Sequence, residues 1–270
     1  MEDGPMTTDA DIAALAEKIA ATRQSKTTID FLPGALADGT EADAYKLQFA
    51  VHARLSASGS DRIAGWKVAA TLPAQYQPIG LSGPAFAGVY QSGIKPSGAV
   101  FPKGALRKYG VECEVVARIG RDVAAGGAPY DRESIKPFID ALFCGMEVVE
   151  NRFADIAKAD GKCRIADEFL QAACIMGPPI ADWQSLDLAA IQGRSLHDGK
   201  ELASGPGANV MGHPLASLAW LANQLIAHGK TLRAGDVVLT GSTHPPQFLP
   251  GPGVAVAEFI GIGETRVTFE

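Results

Sequence analysis

The chain has 270 residues, 47% hydrophobic and 20% charged, with a net charge of −6 and no Lys/Arg cluster. This is a globular composition rather than a disordered one, and it argues against a nucleic-acid binder. No apolar run reaches membrane-spanning length, and Cys113, Cys144, Cys163 and Cys174 contain no CxxC pair. The expectation is therefore a cytoplasmic protein with reduced thiols, no membrane segment and no thiolate zinc site.

In chain order, residues 9–24 carry Ile12, Leu15, Ala16 and Ile19 at helical spacing, with Asp9 or Asp11 as the cap. A second helix runs from Thr40 to about Leu55, with Glu41 and Asp43 in its first turn. Together these predict a helical N-terminal lobe over residues 1–60. The texture then changes to short apolar segments between Gly/Pro turns: "RIAGWKVAATL", "FAGVYQSG", "GAVFPKG" and "VECEVVARIG" are predicted strands. "DRESIKPFIDAL" is predicted helical, and "FCGMEVVENRF" and "QAACIMGPPI" are predicted strands. A strand pair turning at Asp198-Gly199 follows. "HPLASLAWLANQLIAHG" is the strongest helix in the chain, opened by His213-Pro214 and stopped by Gly229. "DVVLTGS" and "VAVAEFIGIGETRVTF" return to strands. The fold class is α+β: a helical lobe, then a β-rich core over residues 61–270 forming one structural unit.

In "YGVECEVVARIG", Val111, Cys113, Val115 and Ala117 share one face of a strand, so Glu112 and Glu114 share the other. Most such pairs lie on a solvated face. The alternative is a site for a hard cation, since carboxylates roughly 7 Å apart along a strand repel unless a dication lies between them. Glu147 in "GMEVVENR" is the candidate third ligand, with a plain ion pair to Arg152 as its ordinary role; Glu150 competes, at the other parity. Lys67 in "AGWKVAAT" lies in an apolar strand, where it is either a snorkelling edge lysine or a residue with a partner. Near a bound substrate it could hold a carboxylate or move protons. His213 is expected to cap its helix. No GxSxG, Walker A or HExxH pattern occurs.

The order GWK, ExE, "MEVVENR", then "NVMGHPLASLAWLANQLIAHGKTLRAGDVVLTGS" resembles the 2-oxopent-4-enoate hydratase and 4-oxalocrotonate decarboxylase family, within the fumarylacetoacetate hydrolase superfamily. The resemblance runs from about residue 9 to the C-terminus. It implies a mixed β-roll core and a homo-oligomer. It also implies Mg²⁺ or Mn²⁺ held by Glu112, Glu114 and Glu147, with Lys67 and Glu147 as the catalytic residues. Lys67, Asp167, Thr240 and Ser242 would meet a small 2-oxo acid or dienoate. Two segments depart from the family's pattern. Ala85 replaces an acidic residue in "GPAFAG", and in "ADEFLQAA" Asp167 is kept while Glu168, Phe169 and Leu170 follow. The implied reaction is hydration of a 2-hydroxy-2,4-dienoate to a 4-hydroxy-2-oxo acid. A decarboxylase of a 2-oxo-hexenedioate is the alternative, and would need Lys95, Arg107 or Lys108 for the second carboxylate. A C–C hydrolase would need a His/Glu dyad, for which His52 shows no HxxE partner. A non-catalytic binding protein would not be expected to keep the three carboxylates with Lys67.

Overall fold

The structure is a computed structural model that describes residues 8–270; the first seven residues of the expected lobe lie outside the described residues. Helix α1 (Asp9–Ser25) is capped by Thr8 rather than by Asp9 or Asp11. The Thr8 hydroxyl accepts the Asp11 N–H at 3.2 Å, while the Asp11 carboxylate accepts the Thr8 N–H at 3.1 Å. A single turn, α2 (Leu32–Ala35), leads to α3 (Glu41–Ala57), where Thr40 and Asp43 repeat the same reciprocal cap. Ile12, Leu15 and Ile19 of α1 pack with Leu47, Val51 and Leu55 of α3. The same cluster takes in Tyr90, Val149 and Phe153, so the helices bury their apolar stripe against the core.

The core begins with β1 (Ile63–Ala69), the short α4 (Pro73–Tyr76), β2 (Ala85–Tyr90), β3 (Ile94–Pro96) and β4 (Ala99–Phe101). Two long strands follow, β5 (Lys108–Ile119) and β6 (Ile139–Asn151), then α5 (Gly161–Ala166) and β7 (Gln171–Pro179). The hairpin β8 (Gln192–His197) and β9 (Lys200–Pro206) precedes α6 (Pro214–Ala227), β10 (Val237–Ser242), β11 (Gln247–Phe248), β12 (Gly253–Phe259) and β13 (Gly263–Phe269). One sheet has the order β2-β1-β10-β5-β6-β7-β3, with β11 on β5; the other runs β4-β13-β12-β8-β9. Both are mixed: β1/β10, β3/β7 and β4/β13 are the parallel pairs. This is the α+β architecture of a helical part and a curled mixed-sheet core. Where the sheets meet, Gly177 has no room for a side chain. A Cβ there would lie 2.0 Å from the Thr265 hydroxyl, which donates to the Cys144 carbonyl.

The Asp198-Gly199 turn forms as expected, both residues at positive φ (48° and 78°) between β8 and β9. The predicted helix over "DRESIKPFIDAL" does not form. The Asp131 carboxylate accepts the N–H groups of Glu133 and Ser134, a local turn that competes with a helix. Pro137 supplies no N–H, and only a 3₁₀ turn at Lys136–Phe138 survives. From Ile139 onward the chain is claimed by β5, with Ile139 opposite Ile119.

Candidate active site

Four adjacent strands, β1, β10, β5 and β6, build a pocket of about 130 Å³. Glu112 of β5 is the register partner of Glu147 of β6, so the third carboxylate arrives from across the ladder. Glu114, two residues on and on the same face, pairs with Ser242 of β10, and Lys67 of β1 with Leu239 of β10. On the other face of β5, Val111, Cys113 and Val115 are fully buried in the apolar core. The glutamate face is not a solvated one: Glu114 and Glu147 are each 1% exposed, and Glu112 is partly buried.

One oxygen from each of Glu112, Glu114 and Glu147 lies within 4.8 Å of the others. Burial is the largest influence on all three and raises their pKa values. Burial and the Glu147 charge push Glu112 up to about 8. Burial and then the charges of Glu147 and Glu112 push Glu114 well above the usual range, against the pull of the Gly241 N–H and Lys67. For Glu147, burial is opposed mainly by Lys67. Lys67 is 2% exposed, with Nζ 2.7 Å from Glu147 Oε1 and 2.8 Å from the Phe169 carbonyl. An ammonium has three donors, so one remains for a ligand. The set of donors is all oxygen, with one ammonium against three buried carboxylates, and this suits a hard divalent cation.

Gly241 completes the cradle. Its N–H donates to Glu114 Oε2 at 2.7 Å from a backbone with φ +116°, and a Cβ there would lie 2.6 Å from Thr71 Cγ2. Ser242 lines the pocket, its hydroxyl donating to the His244 carbonyl. Thr240 and Asp167 are not among the lining residues. The Thr240 hydroxyl donates to the Val115 carbonyl at 2.9 Å. Asp167, fully buried, accepts from Arg23 and Arg152, each at 2.9 Å, which ties α1 to the core.

Residues 63–270 match the profile of the fumarylacetoacetate (FAA) hydrolase C-terminal domain. The chain belongs to the fumarylacetoacetate hydrolase family. Among the relatives of this family member is the 2-keto-4-pentenoate hydratase of Burkholderia vietnamiensis, 30% identical over 98% of this chain and 99% of that one. A 4-oxalocrotonate decarboxylase of Pseudomonas putida is 26% identical over 96% of each chain. The solved structure of 4-oxalocrotonate decarboxylase from Pseudomonas putida G7, complexed with magnesium and adipate, superposes with a TM-score of 0.90 at 25% identity, covering 97% of this chain and 98% of that one.

Within this member of the family, several sequence expectations resolve. Arg152 pairs with Asp167, and Glu147 takes Lys67 instead. Glu150 accepts the Arg107 N–H at 2.9 Å and does not line the pocket. His213 Nδ1 accepts the Leu215 N–H at 3.0 Å, a helix cap. His52 does have an acidic partner, Glu168, with Nε2 2.6 Å from Oε1. The two are 116 residues apart, so no local motif could reveal the contact. The Glu168 carboxylate also accepts from the Gly88 N–H and the Tyr90 hydroxyl, and neither His52 nor Glu168 lines the pocket.

That dyad anchors an unusual segment. Glu168, Phe169 and Leu170 all have positive φ (59°, 48° and 68°), three successive residues in a region that side chains disfavour. The segment carries the Phe169 carbonyl to Lys67 and places Phe169 and Leu170 in the pocket wall. Ala85 is buried in β2. Arg164 of α5 lines the pocket as well, and nothing in its sequence surroundings marked it.

Proposed function

We propose that this chain is a divalent-metal-dependent hydratase that adds water to a 2-hydroxy-2,4-dienoate, or its 2-oxo-4-enoate tautomer, giving a 4-hydroxy-2-oxo acid by way of the conjugated 2-oxo-3-enoate. The observation that carries this reading is the convergence of Glu112, Glu114 and Glu147 with the buried Lys67–Glu147 pair in one pocket. The full-length likeness to 2-keto-4-pentenoate hydratases supports it. Mg²⁺ or Mn²⁺ held by the three carboxylates would supply Lewis acidity to the substrate's carboxylate and C2 oxygen. The remaining work falls to the protein. Lys67 holds a proton at Nζ between Glu147 Oε1 and the Phe169 carbonyl, and passes it to the dienoate as that ketonises. Glu147 takes the enol O–H proton in that step; as water oxygen then bonds to C4, water's proton returns to Lys67 and Glu147 delivers its proton to C3, so both residues end as they began. Ser242 and the walls formed by Phe169 and Leu170 orient the chain and exclude bulk water. Thr240 and Asp167 act by position, holding the strand end and the 168–170 segment.

A second reading rests on the superposition with 4-oxalocrotonate decarboxylase: the same head group binds, and CO₂ leaves instead of water entering. The same assay separates the two. Freshly made 2-hydroxypenta-2,4-dienoate and 2-hydroxyhexa-2,4-dienedioate are followed by ultraviolet decay with EDTA-stripped protein, then with Mg²⁺ or Mn²⁺ restored. Metal-dependent decay to a product one water heavier establishes the hydratase; a product one CO₂ lighter establishes the decarboxylase. Decay that persists undiminished in Lys67→Met removes Lys67 from the mechanism, whereas its proposed role predicts a loss of about 10²- to 10⁴-fold. Four free buried cysteines suit a cytoplasmic setting. Exposed Val100, Phe248, Val254 and Ile260 offer apolar surface for a homo-oligomer, checked by light scattering.

A further inference from the structure

We infer that Arg164 reads the far end of the substrate, so that this enzyme takes a 2-oxo acid whose tail carries a second anionic group. The inference rests on the head-group reading above and extends it to the tail.

Arg164 stands in the last turn of α5 and lines the same pocket as the three glutamates. With Ile79 it also lines a second cavity, whose other lining includes Lys158 and Asp160, so the two cavities meet at Arg164 and Ile79. Its Nε donates to the Ala159 carbonyl at 3.0 Å, which fixes the plane of the guanidinium. That leaves the two terminal nitrogens. Among the described residues, neither has a hydrogen-bond partner, and no carboxylate lies within 4.0 Å of them.

Other arginines withdrawn from water are matched differently. Arg23 and Arg152 share Asp167, and Arg194 meets Glu258 and Glu201. The acid on Arg164's own helix, Asp160, is engaged by the Cys163 N–H and faces Lys162 at 3.6 Å. Burial lowers the pKa of Arg164, and Asp160 opposes this only in part. A half-buried guanidinium without a counter-ion is costly, and its planar fork is matched to a carboxylate in two parallel hydrogen bonds.

Apart from the charged residues and Thr71, Gln75 and Ser242, the pocket has an apolar wall. Ile79, Val149, Phe169 and Leu170 supply it, the last two from the strained segment at 168–170. An acid-binding head, apolar wall and one cation therefore share a single pocket. The cations proposed from sequence lie elsewhere: Lys95 stacks over Phe101, Arg107 lines a separate cavity with Arg23 and Arg152, and Lys108 is exposed.

The test is a calorimetric titration of Mg²⁺-loaded wild type, Arg164→Gln and Arg164→Lys with two ligands of equal length, 2-oxoadipate and 2-oxohexanoate. These share a head and differ only in the terminal carboxylate. The wild type should prefer 2-oxoadipate by about 10- to 100-fold, the strength of a charge-assisted hydrogen bond. Arg164→Gln should bring that ratio close to one, and Arg164→Lys should recover part of it. A wild type that binds both ligands equally, or an Arg164→Gln variant that keeps the preference, overturns the tail assignment alone. Equal weakening of both ligands in Arg164→Gln makes the residue structural and overturns it too. If wild type binds Mg²⁺ but neither ligand, the head-group reading fails, and this inference with it.

Discussion

Glu112, pushed up to about 8 from an ordinary value near 4.5, binds a proton in the folded metal-free protein across a range where the unfolded chain has already lost it. The sign of the linkage follows. Between about pH 4.5 and 8 the folded state holds more protons than the unfolded one, so stability falls as pH rises. Metal-free protein should melt at progressively lower temperature across that window, and saturating Mg²⁺ or Mn²⁺ should flatten the trend because the cation replaces the protons. Differential scanning calorimetry at several pH values checks this; a metal-free melting temperature that climbs toward pH 8 would contradict it. At this scale the cluster of three carboxylates was legible. Strand parity put Glu112 and Glu114 on one face; Glu147, drawn from its apolar strand context, is the register partner of Glu112, while its competitor Glu150 lies outside the pocket lining. Arg164 was not legible, because its meaning depends on which pocket its helix turns it toward. The His52–Glu168 contact was hidden by sequence distance.

Elements differ in how much of their conformation is local. Helix α6 was readable because its start, its apolar stripe and the glycine after its end all agree. The Asp131–Ile139 stretch was not, because its apolar spacing fits a helix while its turn chemistry and its partner strand do not. The turn at Gly241 is an element whose conformation serves the site directly. Gly241→Ala forces a side chain onto Thr71 from a backbone that tolerates none. It should cost about 1–3 kcal/mol in a urea unfolding titration and weaken metal binding by shifting the N–H on Glu114. A variant with wild-type metal affinity would show that this hydrogen bond does not position the carboxylate.

For the molecule as a whole, the proposed site gathers three carboxyl groups and one ammonium inside the larger sheet. A cation that binds only the folded state should therefore stabilise the entire fold. The gain is about 2.7 kcal/mol when its concentration is a hundred times its Kd. Glu114→Gln should lose most of that gain while its metal-free form melts no lower than wild type, since glutamine mimics the neutral acid and can still accept from Gly241. Thermal melts with and without Mg²⁺ decide the matter; a metal-dependent shift of wild-type size in Glu114→Gln would remove it from the ligand set. The 168–170 segment has one last consequence. It presents the carbonyl that Lys67 grips and also the rings and branches that line the cleft. Re-tailoring the enzyme for a different side group by editing Phe169 or Leu170 therefore disturbs the lysine at the same time. A laboratory effort to broaden its diet should begin at Ile79, which lines the pocket from outside that segment, where the two properties come apart.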